Sequence, residues 1–182
     1  DTSDRSKLSV EEQTLLDKTY NGYVFNGALL KGAQRTEYEQ LSQKLSKLTS
    51  DFGNNIANST ASLKVVIKAA DKHRLAGIPA DVVESYAQNA KEDKDPDVTT
   101  DDYVILMTPP PLAVYEYADD RSLREEVKRV AEKIGSVAPY DNTQVVRDIL
   151  DTRHKIANLL GFKNHAELTI RPDTRMTGKP QV

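Results

Sequence analysis

A chain of 182 residues with 38% hydrophobic and 29% charged content is sized for one domain that buries roughly two thirds of the surface its unfolded form exposes. The net charge of -3 supplies no basic field of the kind that phosphate backbones demand, so nucleic acid is not expected as a partner. No apolar run approaches the roughly 18 residues of a membrane span, and the absence of Cys removes thiolate metal clusters while permitting a reducing or an oxidising compartment.

The first helix is expected to start at Ser9, where Ser9 and Glu12 form a capping box, and to run through Leu15, Leu16, Tyr20, Tyr23 and Val24. Gly27 and Gly32 bracket a turn. A second box at Thr36 and Glu39 predicts a longer helix whose Tyr38, Leu41, Leu45, Leu48, Phe52 and Ile56 recur in threes and fours. The two helices are expected to pack as an antiparallel hairpin, with core packing preferred over a partner-binding coiled coil. Gly53, Asn54 and Asn55 weaken the long helix, since glycine costs roughly 1 kcal/mol relative to alanine there, and a local kink is expected.

LKVVI at residues 63–67 and YVILM at 103–107 are rich in β-branched and aromatic side chains and read as two short strands paired with each other. Between them a short helix near residues 69–75, a turn at 77–79 and a helix at 80–90 are predicted. The breaker-rich run KEDKDPDVTTDD, residues 91–102, reads as a solvated loop or strand approach, and it lacks the spacing of a calcium loop. Pro109, Pro110 and Pro111 block a continuing strand and start a short helix through Leu112, Val114, Tyr115 and Tyr117. A further helix, residues 122–135, is expected with Ser122 and Glu125 as its box and Gly135 at its stop.

Residues 141–168, DNTQVVRDILDTRHKIANLLGFKNHAEL, are the most sharply bounded segment. Asp141 or Asn142 caps its first turn with Gln144 three residues beyond Asp141. Val146, Ile149, Leu150, Ile156, Ala157 and Leu160 form an apolar stripe, and Gly161 supplies a left-handed stop.

This segment resembles the one ahead of the active site in the thimet oligopeptidase and peptidyl-dipeptidase family of zinc metallopeptidases. The DN pair is Asp141 and Asn142, IL-x-x-R is Ile149, Leu150 and Arg153, A-x-LLGF runs from Ala157 through Leu159, Leu160, Gly161 and Phe162, and the exit holds Asn164 and Ala166. DRSLREEV, residues 120–127, is similar to the family's R-x-LRE element, and HRLAGIPADV, residues 73–82, to its L-x-GLP element. LSVEEQTLLDKTYNGYVFNGALL and LSKLTSDFGNN also resemble family segments, so the likeness extends across nearly all of the chain.

The resemblance implies a zinc peptidase that hydrolyses short peptides in a channel between helical lobes, most closely of the peptidyl-dipeptidase branch. In that family a HExxH helix supplies two histidine ligands and a glutamate base. This chain has only His73, His154 and His165, none of which begins that motif. The chain is therefore expected to be a front or middle portion of a larger peptidase, scaffold and channel wall, inactive alone. No catalytic or metal-ligating residue is assigned to it. Zinc is expected in the full-length enzyme and not in this chain.

Arg121 and Arg124 are the candidates for binding a substrate carboxylate, as an enzyme removing C-terminal dipeptides needs. Local pairing with Asp119, Asp120 or Glu125 is the preferred reading of both. The tyrosines are read as core-edge residues.

The expected fold class is mainly α, a bundle-like helical lobe with a minor two-stranded ribbon, forming a single helical domain over residues 1–182. Expected partners are the zinc-bearing remainder of the same polypeptide and short peptides. Uncovered apolar surface is expected to favour self-association, or disorder near residues 173–182. The polar N-terminus is no leader, but the chain does not begin with Met and a leader upstream stays open. The compartment, cytoplasm or bacterial cell envelope, stays open with it. The alternative from a different class is a self-contained helical module that binds a protein partner.

Overall fold

The computed structural model of the chain describes residues 5–173. Of residues 173–182, near which disorder is expected, all but Asp173 lie outside the described residues. Helices dominate, joined by one two-stranded antiparallel sheet, so the chain is mainly α with a minor ribbon. It divides into two compact units, one of residues 51–144 and one of the segments on either side.

In the unit of flanking segments, α1 spans Val10–Phe25 after a single tight turn at Arg5–Lys7. Its predicted box is formed: the Glu12 amide donates to the Ser9 hydroxyl at 3.3 Å, and the Ser9 amide donates to the Glu12 carboxylate at 2.8 Å. Two orphan donors of the first turn are satisfied by one exchange. α2 spans Gly32–Ser62 and starts ahead of the predicted cap. Arg35 explains the shift, because its Nε pairs with Glu39 at 2.7 Å and its Nη1 donates to the Gly27 carbonyl at 3.3 Å. Glu39 is thereby unavailable as a capping partner, and Thr36 sits inside the helix, donating to the Gly32 carbonyl at 3.4 Å.

α2 continues as one helix through Gly53. α1 makes its main packing with α7 (His165–Asp173) in place of the expected hairpin with α2. Phe25 meets Phe162 edge to face at 5.5 Å between ring centroids. The apolar side chains of α1 are spread around the helix, and Val10, Leu15 and Tyr23 remain exposed, so there is no single stripe to zip onto a long neighbour.

The unit of residues 51–144 holds the hydrophobic core. β1 (Lys64–Ile67) pairs antiparallel with β2 (Tyr103–Leu106), Val65 opposite Ile105 and Ile67 opposite Tyr103. Both expected strands thus form, and each satisfies the other's backbone groups. α3 (Ala80–Glu92) covers β2, and Asn89 Nδ2 donates to the Val104 carbonyl at 3.1 Å. Because a helix lies over it, β2 buries Val104 and Ile105 on both of its faces.

α4 (Leu112–Tyr117) follows the prolines, and α5 (Arg121–Ala131) closes the core with Leu123 and Val127, both fully buried. The cap of α5 is Asp120, not Ser122. Its carboxylate accepts both the amide and the hydroxyl of Ser122 at 2.7 Å each, while Glu125 is held by Arg129. The helix stops at Ala131, and Gly135, at φ +65°, lies in the turn beyond.

α6 spans Thr143–Leu159. Asp141 fastens its start, accepting from the amide and hydroxyl of Thr143 at 2.8 and 2.7 Å. Gly161, at φ +86°, ends it as predicted, with the Phe162 amide returning to the Ala157 carbonyl at 2.9 Å. Among the described residues no helix is long and apolar enough to cross a membrane.

Most of the acidic run is solvent-exposed loop leading into β2, as its composition suggests, but three of its carboxylates are tied back to β1 and its exit. Lys64 pairs with Asp93 at 2.7 Å and Asp95 at 3.1 Å, and Lys68 with Asp102 at 3.0 Å. Asp102 is 3% exposed and also accepts the amides of Thr99 at 2.8 Å and Ala69 at 3.0 Å. The Thr99 amide first, then the Lys68 ammonium and the Ala69 amide, hold its carboxyl well below the usual carboxylate range.

A carboxyl depressed in the folded state contributes stability that is fully present above its ordinary pKa of 3.8 and is lost as pH falls through the lower folded value. The thermal midpoint of the wild-type chain is expected to fall below that pH. Asp102→Asn is expected to melt lower at pH 7 and to lose less on acidification, as followed by circular dichroism.

Candidate functional site

The family-like sequence elements meet one another in space, through polar side chains rather than through an open catalytic centre. In the first joint, Arg74 of HRLAGIPADV reaches DRSLREEV, with Nε on Asp120 at 3.0 Å and Nη2 on Glu126 at 2.8 Å. The Asp119 amide donates to the Ala76 carbonyl at 2.9 Å alongside. Gly77, at φ +87°, makes this approach passable, because a β-carbon there would lie deep inside contact distance of the Tyr117 carbonyl. Ser122 and then Arg74 hold the Asp120 carboxyl well below its ordinary range.

Arg74→Met is expected to lower stability by about 1–2 kcal/mol, because it leaves partly buried carboxylates without their cation. Urea unfolding measures this. A variant unchanged within a few tenths of that would show the joint to be solvent-screened.

The second joint ties the FGNN stretch of α2 to the DN pair before α6. Asn142 is 3% exposed; its carbonyl oxygen accepts from Asn55 Nδ2 at 2.9 Å and its own Nδ2 donates to the Phe52 carbonyl at 3.3 Å. The Asn142 amide donates to the Gly135 carbonyl at 2.8 Å, and the Gly135 amide to the hydroxyl of fully buried Ser59 at 3.0 Å. Sequence reasoning treats Asn55 as a helix weakener; its position opposite Asn142 shows a different role.

The two arginine candidates separate. Arg124 is half-buried and spends Nη1 on the carbonyls of Ala118 and, at 3.3 Å, Asp119. It braces the α4–α5 turn through backbone oxygens, not through Asp119, Asp120 or Glu125 carboxylates. Arg121 is exposed, makes no ion pair among the described residues, and borders a shallow groove of about 590 Å³ with Tyr115 and Lys128.

A larger cleft, about 740 Å³, is lined in part by the first element. Leu75 and Val83 line it, with Lys72, His73, Glu84 and Tyr103 around it. Lys72 Nζ stands 5.5 Å from the centre of the Tyr103 ring. Neither Lys72 nor Arg74 stands out in the sequence. The available signal was a cation in one family-like element and carboxylates in the other.

Among the described residues no three His, Cys, Asp or Glu side chains are grouped to hold a metal. His73 lines the cleft, and His154 Nε2 lies 3.0 Å from the carboxamide of the Asn158 side chain. His165 opens α7, where burial and then Arg153 keep its pKa below the usual imidazole value.

Comparison with known proteins agrees with what the motifs suggest. No family model matches the chain. Curated relatives do. The chain is 31% identical to the probable cytosolic oligopeptidase A of Arabidopsis thaliana over 173 residues, 93% of this chain and 24% of that protein. The chain is homologous to one segment of the oligopeptidases A and thimet-like oligopeptidases. Oligopeptidase A of Escherichia coli is 27% identical over 179 residues, 96% of the chain. The thimet-like oligopeptidase of Dictyostelium discoideum is 27% identical over 161 residues, 88% of the chain. The chain thus spans about a quarter of the length of the oligopeptidases it matches.

Proposed function

We propose that this chain serves as scaffold and substrate-channel wall of a zinc-dependent oligopeptidase that hydrolyses short peptides, and that it is not catalytic by itself. The observation carrying this reading is that nearly all of the chain aligns with about a quarter of each oligopeptidase. The joints support it physically. Arg74, Asp120, Asn142 and Asn55 lie in the family-like elements, and each is consumed in holding one element to another. Such groups position a wall, and they leave no nucleophile, base and orienting partner assembled around a reacting atom.

Within this reading Arg121 is the residue available to a peptide carboxylate, since Arg124 is occupied by carbonyl oxygens. The removal of C-terminal dipeptides is the narrower form of the proposal, with zinc held by residues other than the three histidines of this chain.

Zinc titration of the 182-residue protein by calorimetry tests the assignment. Absence of stoichiometric uptake tighter than about 10 µM is expected, because an isolated imidazole or carboxylate binds zinc weakly. Tight one-to-one uptake would place ligands on this chain and overturn the scaffold reading.

A further inference from the structure

We propose that the cleft beside Leu75 and Val83 seats the C-terminal residue of a short peptide, its apolar side chain in the cleft and its carboxylate at Lys72. The inference rests on the oligopeptidase reading and adds to it a subsite and the chemistry it selects.

The size of the cleft, about 740 Å³, lies within the range of small-molecule and peptide subsites. Its α3 wall is built by Ala80, Val83, Glu84 and Ala87, which recur at three-and-four spacing and so share one helix face. Alanine at two of these positions leaves room for an inserted side chain, and buried Leu75 gives it an apolar contact.

Charge decides which end of a peptide fits. Lys72 makes no ion pair among the described residues, and the Tyr103 ring orients its ammonium without neutralising it. A cation held beside an apolar cleft is complementary to an anion attached next to an apolar side chain. The α-carboxylate is the one anion every free peptide carries in that position. Glu84, on the facing helix, disfavours an acidic side chain in the same space.

The test uses the isotope-labelled 182-residue protein and N-acetyl-Ala-Ala-Leu, as the free acid and as the C-terminal amide, followed by amide chemical shifts. Saturable shifts at Lys72, Val83 and Tyr103 are expected with the acid. Binding about tenfold weaker is expected with the amide, and again with the Lys72→Met variant, since a charge-assisted contact is lost in each. Equal affinity of acid and amide would overturn the proposal. So would stronger binding of a peptide amide with a free amino end, which would assign the cleft to Glu84, or no shift at the cleft at all. Shifts confined to Arg121 and Lys128 would remove the cleft subsite while leaving the oligopeptidase reading standing. That reading is judged separately by zinc uptake and hydrolysis.

Discussion

Gly77→Ala is expected to destabilise the protein by about 3 kcal/mol or more, the most severe single change at any glycine among the described residues. Two independent costs combine. The backbone stands at φ +87°, where a side chain costs roughly 1–2 kcal/mol. A methyl group would also collide with the Tyr117 carbonyl and press on Asp119 Cγ and Oδ1 at 3.0 Å. The backbone oxygen cannot rotate away, because the neighbouring Asp119 amide is bonded to the Ala76 carbonyl. Gly161→Ala provides the control: its φ is +86°, yet no atom lies within 4 Å of the added carbon, so only the conformational cost applies. Denaturant midpoints of the two variants should differ by roughly 2 kcal/mol in Gly161's favour. Equal losses would show that the close approach between residues 73–79 and 117–120 relaxes freely.

Leu123→Ala is expected to cost about 3 kcal/mol, from lost burial plus the cavity left behind. The side chain is fully buried in the core with Val65, Ile67, Ile105, Val114 and Val127. Leu123→Met conserves volume and is expected to cost under about 1.5 kcal/mol. Paired thermal melts separate the two. This leucine is the apolar anchor of DRSLREEV, while the flanking Asp120 caps α5 and Arg124 braces the preceding turn, so one short motif performs three structural tasks.

Local signals in the sequence translate directly into structure. Ser9 and Glu12 form their box and Gly161 ends α6, because each of those outcomes is decided by backbone geometry within a few residues. LKVVI and YVILM lie about forty positions apart and still pair as expected, because each short strand satisfies the other's backbone groups. Capping motifs fail where a competing partner sits nearby. Arg35 takes Glu39, and Asp120 outcompetes Ser122 by accepting two of its donors.

Long-range side-chain pairing is the part that composition conceals. KEDKDPDVTTDD reads as solvent-facing until Lys64 and Lys68, about thirty residues earlier, are placed beside it on one strand and its exit. The α1–α2 hairpin is not realised because the apolar residues of α1 do not form one stripe. At the candidate site, the elements themselves were visible as resemblances, but their mutual contacts were not. Arg74 to Asp120 spans 46 positions and Asn55 to Asn142 spans 87, beyond any periodicity.

The scaffold account is tested most directly by incubating the purified 182-residue protein, with zinc supplied, with a fluorogenic quenched oligopeptide. No hydrolysis above the buffer rate is predicted, with or without a chelator. Peptide trimming that co-purifies with the folded protein and is abolished by the chelator would contradict it.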